Sequence, residues 1–390
     1  MIPAVAVPVA SAAALAVMRD RNFLWAAAQL LALAIPFLFL VTGLGARVRT
    51  ACARIAGGRW LWTVVLFACA YLTMSALITL PFDYFRGHAG HHAAGWSPQT
   101  LPEWLAEEGV QLLVRLVAAS LFAWIPYALI ARSPRRWWLY GTIALVPVAF
   151  LALVVLPVWV APLTTRYAPL ADRLLEARIE GLAARCGVSH IPVFVGGDDT
   201  SVVGLGPTNR ILMQSDLATA ETPDQIEFTI GHELKHYVMG DNWKALAIVA
   251  SVLFVGFWLG DRLGRAAIRR WSRRFGFSEL SDPASLPLIV LIFTGYWLCV
   301  LPFFNLFARH IEIEADRFGL ELTHQNQAAA RIFAKDAESG LTPEWDTFFL
   351  IFRATHPSIG ERIRLANTYE PWEEGAPLAY GNVCQRSDSH

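Results

Sequence analysis

Six long stretches of this chain are too apolar to face water. They run at about residues 23–44, 60–81, 109–131, 137–162, 243–260 and 284–308. Most reach the roughly 20 residues that carry a helix across a bilayer core. The third holds one internal charge, Arg115, and the fifth, though shorter, has none after Lys244. Trp60, Trp62, Trp137, Trp138 and Trp243 sit at segment ends, where indoles favour the membrane–water interface. With 16% charged and 55% hydrophobic residues in 390, the chain has too little charge to wet a soluble protein of that length. It reads as an all-α multi-spanning membrane protein of six to seven helices. The seventh would come from residues 2–18, apolar but rich in Ala and Pro, which read as a weak helix or a membrane-surface segment. A cleaved signal would want positive charge ahead of its apolar run, and none is there. Zero net charge suggests no nucleic-acid partner. Cysteines at 52, 69, 186, 299 and 384 show no CxxC spacing, so neither a disulfide framework nor a thiolate metal site is expected.

The spans divide the chain into a membrane region (1–162), a first polar piece (163–242), two further spans around an Arg-rich loop (243–308) and a second polar piece (309–390). The first polar piece opens with an amphipathic helix. Leu170, Leu174, Leu175, Ile179 and Leu182 recur at helical spacing, and Gly187 stops the run. Short strands are expected at 191–195, 202–205 and 211–213, the last two joined as a hairpin through Gly206-Pro207-Thr208-Asn209. From Pro223 to Gly240 the pattern is helical again. Thr222 is placed as the N-cap, Pro223 at the first position and Gln225 at capping-box spacing.

That helix carries His232-Glu233-Leu234-Lys235-His236. Residues i and i+4 share a helix face, so both imidazoles can reach one ion. Glu233, one residue along, misses the metal yet can take a proton from water beside it. The arrangement suits zinc-assisted hydrolysis, in which the ion acidifies water and polarises the scissile carbonyl. Two imidazoles leave the ion too open, and Met239 and Asn242 stand where an extended motif needs Gly and a third His. The ligand must come from farther along, and Glu312 after the last span is the candidate. Asp316, one turn on, is spaced to hydrogen-bond the far nitrogen of a ligand imidazole and fix its tautomer. Glu314 points to another face. Near the tail, His356 and Arg362 flank a helix start and could donate hydrogen bonds to the oxyanion of a tetrahedral intermediate. A loop histidine and a surface arginine would share that spacing. His88, His91 and His92 lie in one polar connection, read as a flexible loop ahead of a second metal site.

These residues resemble the zinc-dependent integral-membrane CAAX prenyl proteases, with the shorter heat-shock membrane protease HtpX a cousin. The likeness also takes in Leu80-Pro81-Phe82, Gly95-Trp96, Gln99-Thr100, Trp137-Trp138, Pro157…Ala161-Pro162-Leu163, Gly204-Leu205-Gly206, Arg210-Ile211 and Ser215-Asp216-Leu217. It covers roughly residues 60–370. The resemblance implies a helical barrel around a water-filled intramembrane chamber, a zincin-like α+β catalytic region and one Zn²⁺ per chain. It implies removal of the last three residues of a prenylated Cys-a-a-X peptide. It also supports His356 and Arg362 as transition-state stabilisers, and the strand near Val202 as the edge that pairs with extended substrate. Asp199-Thr200 stand where the family usually carries Asn-Ala, which puts the substrate contacts of Asp199, Thr200, Ser201 and Val202 in question.

The expected partners are a peptide or protein substrate, prenylated or similarly amphipathic, and membrane lipid. The Ala-, Arg- and Trp-rich composition points to a GC-rich bacterial source and so to the inner membrane. Prenylated proteins are not expected there, which keeps a quality-control protease of HtpX type close behind. A non-catalytic scaffold or lipid carrier would have no use for Glu233. Orientation stays open. Loops at 45–59, 132–136 and 262–274 hold 4, 3 and 6 arginines and favour a cytoplasmic side opposite the polar pieces, whereas the family implies the reverse.

Overall fold

The computed structural model describes residues 3–93, 97–205, 208–338 and 342–384. Gly95, Trp96, Gly206 and Pro207, part of the expected loop and hairpin turn, lie outside the described residues, as does the His91 side chain.

In chain order the helices are α1 (Ala12–Val41), α2 (Leu44–Ile55), α3 (Trp60–Asp83), α4 (Leu101–Phe122), α5 (Trp124–Arg132) and α6 (Trp137–Phe150). Then come β1 (Ala168–Pro169), α7 (Arg173–Arg185), β2 (Val193–Val195), β3 (Ser201–Val203), β4 (Arg210–Met213), α8 (Ser215–Ala220) and α9 (Pro223–Val238). The chain continues through α10 (Asp241–Phe275), α11 (Leu286–Thr323), α12 (Asn326–Glu338), α13 (Thr347–Phe352) and α14 (Ile359–Thr368). Wider π-type turns prolong α3 over Tyr84–Ala89 and α6 over Leu151–Val160.

Six of the resulting helices are long and apolar enough to cross a membrane: Ala12–Val41, Trp60–Ala89, Leu101–Arg132, Trp137–Thr164, Asp241–Phe275 and Pro283–Thr323. No seventh appears among the described residues. Ala12–Met18 is the first part of α1, and residues 3–11 are not helical. The connection holding His88 is helical, not a loop. Its imidazole stacks on His92 at 5.7 Å and leans on Trp104.

The chain divides into two compact units. One comprises Arg21–Leu145 and Ser251–Cys299. Its helices pack closely where side chains are missing: a Cβ on Gly256 would sit 2.8 Å from the Tyr296 ring, and one on Gly264 2.9 Å from Leu280. The spacing of Gly256, Gly260 and Gly264 thus serves internal packing. Trp137 departs from expectation. It is buried, and its indole donates to Asp261 at 2.7 Å, because a buried carboxylate needs a donor. Trp60 and Trp62 do remain exposed.

The other unit comprises Met1–Asp20, Val146–Ala250 and Val300–His390. Its sheet has the order β1-β2-β4-β3, with β2 and β4 parallel and the outer pairs antiparallel. β3 is therefore an edge strand, registered Val202 to Ile211. Ile179 of α7, Ile211 and Met213 of β4, Ile230 and Leu234 of α9 and Phe318 of α11 share one buried cluster. Asp172 caps α7 by accepting from Leu174 and Leu175 backbone N–H groups.

Two links tie distant parts of this unit. Val5 exchanges two hydrogen bonds with the Asn367 side chain, 3.0 and 2.8 Å, at the end of α14. Cys186, just after α7, forms a disulfide with Cys384 in the tail. The bond was not expected from sequence, since 198 residues separate its partners and no short spacing announces them.

Candidate metal centre

The site forms where α9 crosses α11, and small residues allow the crossing. A Cβ on Gly319 would lie 3.1 Å from the His232 backbone nitrogen, and one on Gly231 3.3 Å from the Gly319 Cα. With neither present, the two backbones approach closely enough for side chains within about two turns of the crossing to share an ion. α9 starts as its sequence dictates: Thr222 accepts from the Gln225 N–H, the Gln225 side chain accepts from the Thr222 N–H, and Pro223 follows the cap.

His232 and His236 bring their Nε2 atoms to 3.3 Å of each other. Glu312 on α11 places Oε2 3.3 Å from His232 Nε2 and Oε1 3.6 Å from His236 Nε2. One donor atom from each of the three lies within 4.8 Å of the others, the one such cluster among the described residues. The donor set fits a cation. Glu312 Oε2 is buried and makes no hydrogen bond although imidazoles surround it, which is costly without a positive partner. The local field agrees. Burial works against a charged His232, yet Asp316 and Glu312 outweigh it and raise its pKa to about 10. Two histidines with a carboxylate on a helix pair form a known zinc-hydrolase donor set.

Both ligand-candidate imidazoles are held from behind. His232 Nδ1 meets Asp316 Oδ1 at 2.9 Å, as the i,i+4 spacing of Glu312 and Asp316 predicts. His236 Nδ1 meets Asp241 Oδ2, also at 2.9 Å. Sequence reasoning missed Asp241. Five residues along a helix it would face away, but α9 ends, Gly240 turns with φ +66°, and Asp241 swings back. An Asp just past a helix-ending Gly was the available signal. The same carboxylate receives Lys235 Nζ at 2.9 Å and Lys244 Nζ at 2.7 Å. Lys235 is wholly buried and also donates to the Ile311 carbonyl. Glu314 is drawn to this lysine, 3.1 Å away, and stands outside the three-residue cluster.

Glu233 stands beside the cluster, its Oε1 3.9 Å from His232 Nε2. Burial raises its pKa; His232 and His236 oppose the shift, while Glu312 and Asp199 add to it. His356 reaches the site from the tail, its Nε2 3.3 Å from Glu312 Oε2, and burial lowers its pKa. Arg362 meets the cluster through Asp316. Its Nε and Nη2 donate to both oxygens of Asp316 at 2.8 and 2.6 Å, and its guanidinium lies 4.1 Å from the Phe333 ring centre. Of the four residues at 199–202, Thr200 accepts from the Gln214 N–H at 3.0 Å, Ser201 and Val202 lie in β3, and Asp199 is exposed.

The profile of Peptidase family M48 matches residues 169–370, the whole stretch that carries this cluster. The chain belongs to peptidase family M48. A second profile, described as CAAX prenyl protease N-terminal, five membrane helices, matches residues 11–166 of this M48 chain. The uncharacterized metalloprotease YhfN of Bacillus subtilis is 31% identical over 350 residues, 87% of this chain and 80% of its own. CAAX prenyl protease 1 of Saccharomyces cerevisiae is 23% identical over 318 residues, 75% of this chain and 69% of its own. In fold, the crystal structure of S. mikatae Ste24p matches with TM-score 0.69 at 19% identity, covering 85% of this chain and 83% of that one. The M48 chain is thus a multi-pass membrane metallopeptidase of the CAAX prenyl protease type, and its family implies a metal cofactor.

Proposed function

We propose that this M48 chain holds one zinc ion through His232, His236 and Glu312 and uses it to hydrolyse peptide bonds near the C termini of amphipathic, membrane-associated substrates. The convergence of those three donors beside Glu233 carries the reading. Bound there, zinc supplies Lewis acidity that polarises the scissile carbonyl and acidifies the attacking water. Glu233 takes the water's proton and returns it to the leaving amine, a transfer that an upward-shifted carboxyl favours. His356 is positioned to donate to the oxyanion, while Arg362 orients Asp316 and, through it, His232. Extended substrate pairs with the free edge of β3, with Ser201 and Val202 offering backbone groups and Asp199 and Thr200 flanking the entry.

The test is zinc content and peptide cleavage in detergent for wild type and Glu233→Gln. One zinc in each, with cleavage by wild type alone, is the expected result. No zinc in wild type, or equal cleavage by both, overturns it. A prenyl-cysteine peptide against its unprenylated control then separates CAAX-type processing, of the kind the yeast relative's name describes, from broader quality-control proteolysis.

A further inference from the structure

Two cysteines of the unit bearing the metal cluster are oxidised. Cys186 and Cys384 form the disulfide, while Cys52, Cys69 and Cys299 remain thiols. The bond is embedded in packing. Cys186 belongs to the buried cluster around α7, Tyr380 and Val383 pack against that cluster, and Glu321 accepts from the Ala379 and Tyr380 N–H groups at 2.9 and 2.8 Å. Structural disulfides of this kind persist in exported, oxidising compartments and are rare where glutathione and thioredoxin keep thiols reduced.

Charge gives an independent indication. Six successive crossings put the connections after the first, third and fifth spans on one membrane face. They put residues 3–11, the connection after the second span and both polar pieces on the other. Residues 45–59 and 132–136, with the C-terminal part of α10 at 262–274, helical where a loop was expected, serve the first face and hold thirteen arginines. The short segments serving the second hold three, Arg19, Arg21 and Arg86, accompanied by Asp20 and Asp83. The two long polar pieces carry little weight, because long segments translocate largely regardless of charge. Lys and Arg excess in short connections marks the cytoplasmic face.

We infer that the metal cluster faces the exported side of the membrane, so that the substrates of this peptidase are extracytoplasmic segments of membrane-anchored or secreted polypeptides. The inference rests on the proteolytic reading above for its substrate and on the disulfide and arginine distribution for its side. The two thiols lose two protons and two electrons in forming the bond, and a disulfide-bearing oxidant of the exported compartment accepts them by exchange. A prenylated C terminus on the cytosolic face would lie across the bilayer from Glu233.

Two measurements on the full-length protein in a bacterial host test the side. Alkaline phosphatase fused after residue 390 is expected to be active, and green fluorescent protein at the same place dark. A bright fluorescent fusion with inactive phosphatase overturns the inference. Intact cells are also acid-quenched and alkylated with a mass-tagging maleimide, with and without prior reduction. Wild type is expected to gain two tags on reduction, and Cys186→Ser/Cys384→Ser none. Wild type carrying all five tags without reduction overturns it. Cleavage by purified protein in detergent does not depend on orientation, so its loss would sink the proteolytic reading and leave the topology standing.

Discussion

Asp316 and Asp241 each hold one imidazole, but in different company. Asp316 is buried and shared between His232 and the Arg362 guanidinium, whereas Asp241 is shared between His236 and two lysines. Losing such a carboxylate typically costs 10–100-fold in metal affinity. Asp241→Asn is therefore expected to weaken zinc binding about 10-fold or more, measured by chelator competition, with residual activity restored by excess metal. An unchanged affinity would remove Asp241 from the site. Glu233 makes a pH prediction. Its carboxyl must be ionised to take a proton, and burial holds its pKa up with help from Asp199. The acid limb of kcat/KM should therefore lie above the ordinary carboxylate range, and Asp199→Asn should move it to lower pH. A limb moving upward would contradict the placement. The motif and Glu312 were legible in the sequence because ligation demands fixed residue types at fixed helical spacing. Asp241 and the Arg362–Asp316 pair were not, because each depends on where a turn or a distant helix carries the chain.

At the scale of elements, α9 and α11 cross at Gly231 and Gly319, and the three candidate donors lie within about a turn or two of that crossing. Gly319→Val would drive a branched side chain into the His232 backbone and the Phe228 carbonyl, 3.1 and 3.3 Å from the added Cβ alone. Backbone atoms cannot swing away, so the helices must separate. Overpacking of this sort costs about 1–3 kcal/mol, and a displaced donor costs more in catalysis than in folding. The expected phenotype is a folded, membrane-inserted protein with zinc binding and cleavage lowered at least tenfold. Wild-type zinc affinity in that variant would show the crossing to be slack. The spans and the start of α9 were read correctly from sequence, since apolar length and a capping box are local signals. The last span was expected to end near 308 and a polar piece to begin there, but α11 runs on as one helix to Thr323. Nothing between Phe307 and Arg309 breaks it, and the change from apolar to charged residues is a change of surroundings, not of backbone.

Over the whole molecule, the unit with the metal cluster gathers segments far apart in sequence, and two links hold them: the Cys186–Cys384 disulfide and the Val5–Asn367 pair. A disulfide typically contributes about 2–4 kcal/mol, more for longer loops in the chain-entropy account. Cys384→Ser is expected to lower the melting temperature of the purified protein by several degrees, and reductant to do the same to wild type but not to the variant. An identical melting temperature with and without reductant would show the bond to be dispensable. Neither link could be read from sequence, because a pairing across hundreds of residues leaves no local pattern. The division of the candidate donors between distant segments has a consequence in time. His232 and Asp316 are 84 residues apart, so at about 5–20 residues per second of synthesis the motif helix waits several seconds for Glu312 and for the carboxylate behind His232, and longer for His356 and Arg362. Throughout that interval the nascent chain carries Glu233 and two imidazoles without the carboxylates that complete the cluster. On the proposed mechanism, a site whose last parts leave the ribosome late stays incomplete while its own precursor is unfolded in the translocation channel, so chain elongation itself times the onset of cleavage.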